Sequence, residues 1–128
     1  MRRLDAGTGA VVWTSEADDV RLWNGTVLGA NEHEVVMQGN WFRSFVAYDA
    51  TTGAQLWARD DDAQEQVVAT MAGDRAAFVR APDDFELFDT ATGTTLLTEH
   101  AYNARPSFFG GQVAFIDDTR HLALRALP

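Results

Sequence analysis

One nine-residue pattern, Asp-x-x-Thr-Gly-x-x-x-Trp, occurs twice along this chain and returns a third time in worn form. The copies run from Asp5 through Thr8 and Gly9 to Trp13, and from Asp49 through Thr52 and Gly53 to Trp57. The third runs from Asp89 through Thr92 and Gly93 to Leu97. Asp5 and Asp49 are 44 positions apart, and Asp49 and Asp89 are 40 apart. A period of roughly 40–50 residues is that of a four-stranded propeller blade. The pattern also has a physical reason to be a hairpin. An Asp side chain accepts hydrogen bonds from N–H groups two and three residues on and so braces a turn. The Gly takes the left-handed backbone conformation that a β-carbon penalises, and the chain re-enters the sheet. Trp57, four positions past its Gly, lies on the outgoing strand, where its ring can pack against the neighbouring blade and cover a turn.

Alternating apolar residues bounded by turn residues fill the rest of the chain, with almost no helical periodicity. Residues 10–13 read as an outer strand. One blade follows as Val20–Leu28, Glu34–Gln38, Phe45–Asp49 and Ala54–Ala58. The next is Gln66–Met71, Arg75–Arg80, Phe85–Asp89 and Thr94–Thr98. Ser107–Phe109, Gln112–Ile116 and His121–Arg125 begin a last one, with Gly110-Gly111 as a tight turn. The expectation is an all-β, single-domain β-propeller of four-stranded antiparallel blades. Its segments are 1–17 for the motif and outer strand, 18–60 and 61–99 for two blades, and 100–128 for an incomplete last blade.

The segment Ala47-Tyr48-Asp49-Ala50-Thr51-Thr52-Gly53-Ala54-Gln55-Leu56-Trp57 resembles the Ala-x-Asp-x-x-Thr-Gly-x-x-x-Trp repeat of pyrroloquinoline quinone (PQQ) dehydrogenases and their non-enzymatic β-propeller relatives. Such repeats also occur in bacterial assembly factors and kinase sensor regions. A fourth echo is Ala123-Leu124-Arg125-Ala126, with Arg125 in the Asp position. In the enzymes, the resemblance implies, the repeats are scaffold. The quinone lies over the ring centre, held by long inserted loops with a Ca²⁺-binding carboxylate cluster and a catalytic Asp, often with a vicinal disulfide. This chain has blades of near-minimum length and no cysteine. The resemblance therefore implies the fold without the chemistry: no catalytic residue and no bound cofactor. The alternatives are a piece of a quinoprotein whose catalytic loops lie outside this chain, and a divalent-cation module.

Other chemistry is thinly represented. His33, His100 and His121 are not at metal-ligand spacing, and no serine sits in a nucleophile elbow. The formal charge of −9 disfavours nucleic acid and anionic membranes. No apolar run approaches the roughly 20 residues of a membrane helix. The basic start, Met1-Arg2-Arg3, lacks the apolar segment of a signal peptide, so the chain as given reads as cytoplasmic, or as extracytoplasmic if cut from a longer exported protein.

What rises above this background is a set of carboxylates: Asp18-Asp19, Asp60-Asp61-Asp62, Asp83-Asp84 and Asp117-Asp118. The strand assignment puts all four groups in loops of one face of the propeller, where Glu99 and His100 join them. This predicts an electronegative binding face for a basic protein partner or a divalent cation. Trp41-Phe42, on a hairpin tip, is a candidate aromatic contact beside it. The strands sum to one outer strand, two full blades and three strands of a last, twelve in all. Closed propellers need at least about four blades, and an open sheet edge invites pairing. Two chains, each lending residues 10–13 to the other's last blade, would close a six-bladed homodimer.

Overall fold

Thirteen strands account for the regular structure of the residues that the computed structural model describes, namely 2–14, 25–39, 44–60, 68–80, 84–102 and 104–128. They form four antiparallel sheets in chain order. The first holds β1 (Arg2–Leu4) and β2 (Val11–Thr14). The second holds β3 (Thr26–Ala30), β4 (Glu34–Gly39), β5 (Ser44–Asp49) and β6 (Gln55–Asp60), paired in that sequence. The third repeats the arrangement with β7 (Val68–Ala72), β8 (Arg75–Arg80), β9 (Asp84–Asp89) and β10 (Thr95–His100). The fourth holds β11 (Ser107–Phe109), β12 (Gln112–Ile116) and β13 (Leu122–Ala126). The first strands converge: β3 touches β7, and β7 touches β11. Their approach is close enough that a β-carbon on Gly29 would lie 2.7 Å from Met71 Sδ. Successive up-and-down sheets joined at their innermost strands are propeller blades.

Two corrections follow from the register. The N-terminus supplies two strands where one was expected, because Arg2 and Arg3 pair with Thr14 and Trp13. Three residues, two of them charged, are too short a run to display alternation. In the last blade the Asp position falls on Ala126, not Arg125. Gln112 pairs with Ala126 as Glu34 pairs with Asp49 and Arg75 with Asp89. The N–H of Leu127 bonds to the Gly111 carbonyl as Ala50 bonds to His33 and Thr90 to Asp74.

Period-two alternation sends each strand's side chains to two neighbours. From β8 and β9, Ala76, Phe78 and Phe88 face the second blade, where Phe78 stacks on Phe45 at 5.2 Å and Phe88 is tilted against it at 5.3 Å. Ala77, Val79, Phe85 and Leu87 face the fourth blade, where Phe85 lies on Phe115 at 4.2 Å beside Val113. The middle strands β5 and β9 are therefore buried on both sides, while β6 and β10 stay largely exposed. Leu97, in the Trp position of β10, joins the core between the third and fourth blades. Leu97→Ala is expected to cost about 2–5 kcal/mol in chemical unfolding.

Candidate functional site

The three Asp-x-x-Thr-Gly segments form one geometry. Asp49 Oδ1 accepts the N–H groups of Thr51 and Thr52 at 2.8 and 2.7 Å. Asp5 does the same for Gly7 and Thr8, and Asp89 for Ala91 and Thr92. Each Gly N–H returns to its Asp carbonyl, and Gly9, Gly53 and Gly93 sit at φ of +70°, +76° and +71°. In each turn the Asp Oδ1 and the Gly N–H are thus hydrogen-bonded within the turn itself, and Asp89 also accepts from Arg75 through its second oxygen.

The tryptophans tie each blade to the next. Trp13 Nε1 donates to the Ala50 carbonyl at 2.9 Å, and Trp57 Nε1 donates to the Thr90 carbonyl at 2.8 Å. Each indole lies flat over the left-handed glycine. A β-carbon on Gly53 would come within 2.6 Å of Trp13, and one on Gly93 within 2.8 Å of Trp57. The motif glycine is required twice over, by its dihedral and by the ring above it. On β10 the same position carries Leu97, which packs against the core between the third and fourth blades.

Sequence patterning missed the buried polar links between blades. Glu34, almost fully buried, accepts the Thr90 hydroxyl at 2.6 Å and the Asn31 amide at 2.8 Å, joining the second blade to the third. Arg59 reaches across the same boundary to Glu86 at 2.5 Å and to the Gly93 carbonyl, over the Phe88 ring. Glu86 also accepts the Thr95 hydroxyl. A charged residue at the alternate strand position that faces a neighbour was the available signal, as with Glu86 between Phe85 and Leu87.

Of the predicted acidic face, Asp60, Asp84, Asp117 and Asp118 lie at one end of the sheets, opposite the Asp-x-x-Thr-Gly turns. Asp18, Asp19, Asp61, Asp62, Asp83, Trp41 and Phe42 lie outside the described residues. Asp60 and Asp118 are exposed. Asp84 stands 3.5 Å from the His100 ring, and Glu99 is held by Arg125 through two contacts of 2.5 and 2.7 Å. Asp117 is a turn residue, accepting from the Thr119 hydroxyl and N–H and from the N–H of His121. Among the described residues no three His, Asp or Glu side chains converge as metal ligands would.

Three of the turn aspartates are held below the usual carboxylate range. The Thr8 hydroxyl and N–H lower Asp5, the N–H groups of Thr52 and Thr51 lower Asp49, and the Thr119 hydroxyl and His121 N–H lower Asp117. A depressed folded value stabilises the fold above the unfolded pKa of about 3.9. The contribution is lost as pH falls through the lower, folded value. Unfolding measured against pH should show Asp49→Asn less stable at neutral pH, with a shallower decline below about pH 4 than the natural chain.

These blades, turns and indole contacts have counterparts in other proteins. Residues 1–122 match the family model for the outer membrane protein assembly factor BamB. The chain belongs to this family. The fold is also that of BamB from Moraxella catarrhalis, with a TM-score of 0.56 and 20% identity over 94% of this chain. This chain spans 41% of that BamB chain, less than half its length. The computationally designed Ika4 protein is similar in fold, at a TM-score of 0.70 and 14% identity, covering 98% of this chain and 78% of its own. No curated protein matches the chain in sequence. No helix among the described residues is long and apolar enough to cross a membrane. The BamB match places the chain in a β-propeller repeat family with PQQ-like repeats, as the motif implied.

Proposed function

We propose that the chain is a non-catalytic propeller module that binds another protein, with the carboxylate-bearing end of its blades meeting a basic surface. The observation that carries this is membership of a family whose description is an assembly factor, a role that consists of holding other proteins. The hydrogen bonds that hold the motif's Asp in its own turn and its Trp on the next blade support it, because they give these side chains a structural task. Acidic loops at one end supply long-range attraction to a positively charged partner and would make association sensitive to salt.

A photo-cross-linking side chain placed at Asp118 tests this in cells. The expected result is a discrete adduct with a second protein, lost when Asp60, Asp61 and Asp62 are replaced together by Asn. Adducts that persist undiminished in that variant would remove the acidic face from the reading. Dye reduction dependent on alcohol or glucose, after reconstitution with PQQ and Ca²⁺, would overturn the non-catalytic reading and favour a quinoprotein piece.

The second reading is a partner that is another copy of the chain, with residues 10–13 of each beside β13 of the other. Exchange of residues 10–13 would require β2 to leave β1, to which it is paired. Light scattering at high concentration separates a species of twice the 14.1 kDa chain mass from the monomer.

A further inference from the structure

The innermost strands of the second and third blades meet where one side chain fills the space that another lacks. Gly29 on β3 has no β-carbon, and Met71 on β7 occupies its place. An added β-carbon would lie 2.7 Å from Met71 Sδ and 3.1 Å from both Cβ and Cγ of the same side chain. Met71 also packs against the apolar cluster of Phe45, Ala69, Ala76, Phe78 and Phe88. An unbranched, polarizable thioether suits so irregular a slot. The residue is nonetheless only partly buried, so small solutes reach it from water.

We propose that Met71 is a peroxide-sensitive modification site, and that its conversion to the sulfoxide loosens the joint between β3 and β7. A lone pair on Sδ attacks one oxygen of hydrogen peroxide, so that an S–O bond forms and the O–O bond breaks. The departing hydroxide takes the proton left on the transferred oxygen and leaves as water. Sulfur gives up two electrons, and the peroxide accepts them. The product is a polar group where an apolar chain stood. Its oxygen needs room and a hydrogen-bond donor, whereas the slot is walled by Gly29 and by apolar side chains. In a close-packed joint one added atom is felt, and the side chain relieves the conflict by withdrawing toward water. A void over Gly29 is then left between the two blades. Methionine sulfoxide reductases return the thioether, so the change is reversible. The site lies within a blade joint and stands or falls separately from the acidic-face reading.

The test exposes the folded full chain to hydrogen peroxide and maps the added oxygen by mass spectrometry of tryptic peptides. Cleavage at Arg43 and Arg59 separates Met71 from Met37. The Met71 sulfoxide is expected to form in the folded state, to shift the Gly29 amide resonance and to lower the melting temperature by at least about 3 °C. Reductases for both sulfoxide epimers should restore the original melt. A Met71→Leu chain, which conserves volume, should keep its melting temperature through the same peroxide dose. A Met37→Leu chain should lose and regain stability as the natural chain does, which decides the matter if Met71→Leu does not fold. A Met71 that stays reduced until the chain unfolds, a sulfoxide that leaves the melt unchanged, or an equal loss in the Met71→Leu chain would overturn the proposal.

Discussion

Trp57→Ala is expected to destabilise the chain by about 3–5 kcal/mol in denaturant unfolding, with the slope of the transition unchanged. Three contacts disappear together. The ring leaves the aromatic cluster, where it stands at 90° to Phe88. The Thr90 carbonyl loses its donor, and the left-handed Gly93 loses its cover. The Thr90 side chain also carries the hydrogen bond to buried Glu34, so loosening this turn disturbs the polar link between the second and third blades. A melt indistinguishable from that of the natural chain would mean that the ring does not clasp the blades.

Gly53→Ala is the second large effect, and Gly9→Ala is its internal control. Both glycines have the same left-handed backbone, so each substitution carries about 1–2 kcal/mol from that source. At Gly53 the new methyl also enters the space of Trp13, adding about 1–3 kcal/mol of overpacking. The expected costs are therefore about 2–5 kcal/mol at Gly53 and about 1–2 at Gly9. In a Trp13→Ala background the Gly53 substitution should fall to the smaller value, because the obstructing ring is gone. Equal costs at the two glycines in the natural background would count against ring-on-glycine packing.

The architecture was legible because the hairpin chemistry is local. An Asp, a Thr-Gly and a strand residue four positions on specify the turn without reference to the rest of the chain. Their recurrence after 44 and then 40 residues fixes the blade. What stayed hidden depends on contacts distant in sequence. Glu34 looked like the polar start of a strand, and only the approach of Thr90 from the next blade explains its burial. Strand β1 carries too few residues to show a period, although its place just before Asp5 matches that of β5 before Asp49. The one-residue slip at Arg125 arose because alternation reveals which residues share a face but not which backbone atoms pair. The acidic face was read from loop positions alone, and its described members prove chemically unlike. Asp117 is consumed in a turn and Glu99 in an ion pair, whereas Asp118 is exposed.

The repeated motif joins one blade to the next through an indole laid on a left-handed glycine. A double-mutant cycle of Trp57→Ala and Gly93→Ala, followed by denaturant unfolding, tests it most directly. Strong non-additivity is expected, with Gly93→Ala costing at least about 1 kcal/mol less once the ring is absent. Additive costs for the two substitutions would contradict it.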